Sequence, residues 1–121
     1  MSQDAFLARR IVRLIEGAKI NVTTEAASHQ AIARILRDSG LDVSCEVRLS
    51  AKDRVDLMAG TIAIEVKTGH RRRDILRQIQ RYAKIDGVSE VILATAIAFP
   101  KSITDLSGKR LHIASLSRGW L

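Results

Sequence analysis

Apolar and polar residues follow two different rhythms along this chain, and the switches between them mark out its elements. Residues 4–16 carry Leu7, Ile11, Leu14 and Ile15 at helical spacing, with Asp4 as a candidate N-cap and Gly17 as a stop. After a connector at 19–24, Ala27, Ala31, Ile32, Ile35 and Leu36 predict a second helix over 25–38, capped by Thr23 or Thr24 and closed by Ser39-Gly40. Period two then takes over. Val43, Cys45, Val47 and Leu49 alternate with Ser44, Glu46 and Arg48, as in a half-buried strand. A turn at 50–53 leads to a short strand over 54–58, a tight break at Ala59-Gly60, and a third strand over 61–67. There Ile62, Ile64 and Val66 face one way, while Ala63, Glu65 and Lys67 face the other.

Helical spacing returns over 73–85 with Ile75, Leu76, Ile79, Tyr82 and Ala83. The almost continuously apolar run Val91 to Thr95 reads as a central, parallel strand. A short helical turn is expected at 103–106 and a last strand at 110–116. The tail 117–121 follows, with Trp120 a candidate to close the core or a contact between copies. The order ααβββαββ predicts one α/β domain over 1–121: a mixed sheet with helices on both sides, a core of about 25–116 and an N-terminal helix over 4–16.

Composition supports a packed core. With 121 residues, 46% of them hydrophobic, the chain is one domain and not a disordered segment. Such a domain buries roughly two-thirds of its unfolded surface. Charge narrows the partners. Twenty Lys and Arg against thirteen Asp and Glu leave +7, the balance of a protein that meets an acidic partner, most often nucleic acid. Cys45 stands alone, which excludes an internal disulfide and a multi-cysteine zinc site and fits a reducing compartment. The longest apolar stretch, Val91 to Phe99, is broken by Thr95 and is too short to span a bilayer, and Arg9, Arg10 and Arg13 interrupt any signal-peptide run. A soluble, cytoplasmic protein without membrane contact is the expectation.

The candidate chemistry lies in Asp56, Glu65 and Lys67. If Ala59-Gly60 is a two-residue hairpin loop, Met58 pairs with Thr61 and Asp56 lies opposite Ala63. Asp56 and Glu65 are then diagonal neighbours on one face, roughly 7–8 Å apart at the backbone, with Lys67 beside them. Two carboxylates with the Val66 carbonyl between the strand's two charged side chains suit magnesium, which takes one or two carboxylates and keeps waters. Such an ion polarises a phosphate and acidifies bound water, and Lys67 would orient or deprotonate that water or stabilise phosphate charge. The plain alternative is a cross-strand ion pair on a wet face. A strand flanked by helical segments is covered on both faces, however, and carboxylates on a covered face require a reason.

These residues resemble a known signature. Val55-Asp56 followed by Ile64-Glu65-Val66-Lys67 is similar to the motif of the PD-(D/E)xK nuclease superfamily, whose members share the restriction-endonuclease-like fold. Glu25, in Thr-Thr-Glu-Ala-Ala, stands where many members carry a helical Glu, and Gln78-Ile79-Gln80-Arg81-Tyr82 matches their Gln-x-x-x-Tyr. The resemblance covers about residues 25–95. It departs from the literal motif at Val55, where the proline would stand. In size and layout it is nearest to archaeal-type Holliday junction resolvases and small VRR-NUC-type phage nucleases.

The resemblance implies a magnesium-dependent endonuclease, with manganese as a substitute, acting on structured or branched DNA as a homodimer. Asp56 and Glu65 would bind the ion, Lys67 would position the attacking water, and Glu25 would assist through metal or water. Gln78 would hold the site together or touch the phosphate backbone. Some members keep the fold without catalysis, so a basic nucleic-acid-binding or assembly domain is the alternative, and RNA remains open as a substrate.

The remaining polar residues are weighed beside that site. His70, Arg71, Arg72 and Arg73 follow the Glu-x-Lys strand, and Arg77 and Arg81 extend them by helical spacing, so these six are the expected phosphate contacts. Arg9, Arg10 and Arg13 form a second basic surface with no such placement. His29 shares a helix face with Glu25 but reads as solvent-exposed, and a four-residue turn at 50–53 would put Glu46 on the face away from Asp56. Two Phe, one Tyr and one Trp are too few aromatics for single-strand recognition by base stacking.

Overall fold

Two hydrophobic faces on one sheet set the architecture. The computed structural model describes residues 2–100 and 102–116, and the expected tail with Trp120 lies outside them. Helices α1 (Gln3–Glu16) and α2 (Glu25–Asp38) precede strands β1 (Ser44–Arg48), β2 (Arg54–Ala59) and β3 (Ile62–Lys67). Helix α3 (Arg72–Ala83) follows, then β4 (Glu90–Thr95), β5 (Asp105–Leu106) and β6 (Lys109–Ser115). The strands lie in the order β1-β2-β3-β4-β6-β5. β1, β2 and β3 are antiparallel, β3, β4 and β6 run parallel, and β5 turns back on β6.

The two faces are covered as the strand rhythm predicts. Ile62, Ile64 and Val66 join Ile92, Ala94 and Ala114 beneath Ile11, Ile15, Ile32 and Leu36 of α1 and α2. On the other face Ala63, Val91 and Leu93 meet Ile75, Ile79 and Tyr82 of α3. The result is three layers, with β3 and β4 buried along almost their whole length. Among the described residues no helix is long and apolar enough to cross a membrane.

Local chemistry corrects several boundaries. Ser2, not Asp4, caps α1, accepting from the Ala5 N–H, and the Asp4 carboxylate instead accepts from the Thr61 hydroxyl. Thr24 caps α2 through the Ala27 N–H. The expected helical turn at 103–106 is replaced by the two-residue strand β5. Ser107 and Gly108 both have positive φ, +52° and +86°, the pair of conformations of a type I′ two-residue hairpin.

Two registers differ from expectation in ways that shape the site. The β2–β3 pairs are Leu57–Ile64, Met58–Ala63 and Ala59–Ile62, so the loop is Gly60-Thr61 and not Ala59-Gly60. Gly60 takes φ +61°, the first-position conformation that such a loop assigns to glycine. The shift is two residues, an even number, so Asp56 now falls directly opposite Glu65 without changing faces. In β1, pairs Cys45–Leu57 and Val47–Val55 bracket Glu46, which is exposed and does not itself pair in the register. Glu46 has φ +51°. Around it the alternation inverts: Val43 packs beneath α1 and α2, while Val47 and Leu49 pack toward α3. A strand residue in the left-handed region breaks the two-residue period, and the odd-even pattern of sequence alone does not foresee it.

Candidate functional site

The β2–β3 ladder ends where its side chains take over. Beyond Leu57–Ile64, the Val66 N–H donates to Asp56 Oδ2 at 2.8 Å, and the Asp56 N–H donates to Glu65 Oε1 at 3.3 Å. Each carboxylate thus bonds the opposite strand's backbone and holds the two strands apart. A strand residue sends its N–H and its carbonyl toward the same neighbour, so the Val66 carbonyl also faces this gap.

Helix α3 closes one side. The Tyr82 hydroxyl lies 3.1 Å from both Glu65 Oε1 and the Arg54 carbonyl, and accepts from Gln78 Nε2 at 2.8 Å. Gln78 therefore holds Tyr82, and Tyr82 holds Glu65. Lys67 Nζ stands 3.2 Å from Glu65 Oε2. The i, i+2 spacing of Glu65 and Lys67 puts both on the α3 face, as the strand period requires.

Helix α2 closes the other side through Glu25. Its Oε2 accepts from the Thr68 N–H at 3.1 Å and meets His70 Nε2 at 2.7 Å, so the helix start is tied to the loop leaving β3. His29, one turn along, is half-buried and close enough for its charge to act on Asp56. The helical spacing of Glu25 and His29 carried this signal, but an exposed reading of His29 understated it.

Burial gives the pair its character. Burial raises the Asp56 carboxyl above its ordinary value; the Val66 N–H and the charges of His29 and Lys67 oppose this, and Glu25 adds to it. Glu65, 2% exposed, is pushed up to about 7 by burial and by the Asp56 charge, against the pull of Lys67 and the Asp56 N–H. Burial also lifts the Tyr82 phenol well above its ordinary range, so Tyr82 stays a donor. One buried and one half-buried carboxyl facing one ammonium both favour holding a proton, and a cation bound between them would displace it.

That donor set is of the kind magnesium uses: one or two carboxylates, a carbonyl, and water for the rest. Among the described residues no three His, Cys, Asp or Glu side chains converge as a ready metal cage.

The expected phosphate contacts separate into two groups. Arg71, Arg72, Arg73 and Arg77 are exposed around the start of α3, where Arg71 occupies the N-cap position with no side-chain cap bond. Asp74 in the first turn is the one carboxylate among these cations, which outnumber it at the positive end of the helix dipole. His70 is engaged by Glu25, and Arg81 Nε bonds the buried Asp53 carboxylate at 2.9 Å. The pairing of Arg81 with Asp53, which links α3 to the turn before β2, had no signal in local spacing.

No family model, curated protein or solved structure matches this chain.

Proposed function

We propose that this chain is a metal-dependent endonuclease of the PD-(D/E)xK superfamily, with the restriction-endonuclease-like fold, hydrolysing phosphodiester bonds in structured or branched DNA. The observation that carries this reading is the gap at the end of β2 and β3, where the Asp56 and Glu65 carboxylates each bond the other strand's backbone.

Asp56 and Glu65 would hold the ion, with the Val66 carbonyl as a further oxygen donor, and Glu25, held by the Thr68 N–H and His70, would assist through a bound water. Magnesium, or manganese in its place, supplies phosphate polarisation and a bound water of lowered pKa when present. Lys67 orients the attacking water and offsets charge on the phosphate. Gln78 and Tyr82 fix the Glu65 carboxylate, and Arg71, Arg72, Arg73 and Arg77 contact backbone phosphates at the start of α3. Cutting both strands of a duplex or junction requires two centres, which favours a homodimer.

A second reading has one observation in its favour: Lys67 is closed onto Glu65, as a purely structural ion pair would be. On that reading the chain is a basic nucleic-acid-binding or assembly domain without turnover. Cleavage of labelled duplex, single-stranded, flap and four-way-junction DNA, with magnesium, manganese or EDTA, separates the two. Metal-dependent cutting that is lost in Lys67→Ala supports the nuclease. Salt-sensitive binding with no cutting on any substrate supports the binder.

A further inference from the structure

A trough between α2 and the edge strand β1 opens beside the candidate centre. It is lined by His29, Gln30, Arg34, Arg37 and Asp38 of α2 with Cys45 of β1, and measures about 400 Å3. Binding clefts span roughly 300–1,000 Å3, so this one has room for a nucleotide unit of a longer strand. One end is His29, one turn of α2 beyond Glu25, whose carboxylate accepts from the Thr68 N–H just past Lys67. The trough thus begins one helical turn from the end of β3 that carries Glu65 and Lys67, on the α2 side, away from the arginines that begin α3.

The two arginines in the trough differ. Arg37 Nη2 donates to the Val43 carbonyl at 2.8 Å and sits 3.6 Å from Cys45 Sγ, so it fastens α2 to β1 and forms a fixed cationic floor. Arg34 is exposed and makes no ion pair among the described residues, although Asp38 stands one turn beyond it. An unpaired guanidinium beside a second, oriented one is a site for an anion that accepts several N–H bonds, which a phosphodiester does.

We propose that the α2–β1 trough binds the sugar-phosphate backbone of the substrate strand on the side of the centre opposite α3, with Arg34 as the phosphate contact. This rests on the nuclease reading for its DNA partner. The strand then passes from the α3 arginines, across Asp56 and Glu65, to Arg34. The chain's excess of seven positive charges matches such a two-sided track.

Cys45 provides the probe, because it is the chain's one cysteine and is exposed. An azidophenacyl group attached there is photolysed with end-labelled junction or duplex DNA in EDTA, so that cutting plays no part. In parallel, affinity and its salt dependence are measured for Arg34→Glu and Arg34→Ala, both surface changes. The proposal expects cross-links within a few nucleotides of the cut position, about a tenfold loss of affinity in Arg34→Glu, and a salt slope lower by about one. DNA that cross-links through Cys45 but is never cut in magnesium supports the trough and removes the nuclease. DNA that is cut normally, without cross-linking and with Arg34→Glu unchanged in affinity and slope, overturns the trough and leaves the nuclease standing. Absence of any DNA binding overturns both.

Discussion

Tyr82 Oη lies 3.1 Å from Glu65 Oε1, so a phenol on α3 and a carboxylate on β3, both buried, are joined across the layer boundary. The contact exists because Tyr82 occupies the buried stripe of its helix and Glu65 the α3-facing side of its strand. Tyr82→Phe keeps the ring and removes the hydroxyl from Glu65, the Arg54 carbonyl and Gln78. The expected result is a stability loss of about 1–2 kcal/mol in urea titration. Carbonyl NMR should also find Glu65 titrating higher than in the parent, since a donor to its charged form is gone. An unmoved Glu65 titration would mean the hydroxyl bonds only the Arg54 carbonyl.

The pH dependence of stability follows from Glu65. Its folded pKa, about 7, lies above its ordinary 4.5, so between those values the folded protein binds more protons than the unfolded chain. Stability from this group is complete below about pH 4.5 and is lost as pH rises to 7, by up to about 3 kcal/mol; Asp56, also raised, acts in the same direction. Urea midpoints in EDTA should fall over that range, and Glu65→Gln should flatten the fall and be the more stable protein at pH 8. Magnesium at a hundredfold excess over its Kd should restore about 2.7 kcal/mol to the parent and nothing to Glu65→Gln. An equal thermal shift in both proteins would place the ion elsewhere.

DNA binding and cutting should separate by residue. Asp56→Asn removes negative charge beside the phosphate, and should abolish cleavage while keeping or tightening binding. Cleavage that survives would refute the assigned centre. Replacing Arg71, Arg72 and Arg73 together by Ala should weaken binding and lower the salt slope by up to about three, since each phosphate left without its cation takes about 0.9 from the slope. Arg81→Ala should act on the fold instead, because it strips the partner from Asp53, which is only 7% exposed. The Arg81 side chain is half in solvent, so the loss should be modest, about 1 kcal/mol.

Glu46 offers a test of the strand inversion. Its φ of +51° is unfavourable for any residue with a Cβ by roughly 1–2 kcal/mol, and its side chain is exposed. Glu46→Gly relieves that strain at some entropic cost in the unfolded chain, and should raise stability by up to about 1 kcal/mol. Glu46→Val, a strong strand former elsewhere, should destabilise. The opposite ranking in thermal melts would show that β1 is regular in solution.

The periodic elements were legible because they depend only on neighbours along the chain. Ile62, Ile64 and Val66 face away from Glu65 and Lys67 whatever the strand pairs with, and the stripe of Ile75, Ile79 and Tyr82 buries its helix against any apolar layer. The mixed α/β layering and the common face of Glu65 and Lys67 therefore follow from the sequence by itself. Pairing does not. A loop moved by one residue at each strand brought Asp56 directly opposite Glu65, and one positive φ at Glu46 split Val43 from Val47. Glu25 found the Thr68 N–H and His70 more than forty residues away, and Arg81 found Asp53. Those contacts were decided by tertiary structure alone, because turn conformation and long-range hydrogen bonding depend on which backbone groups the folded sheet leaves unpaired.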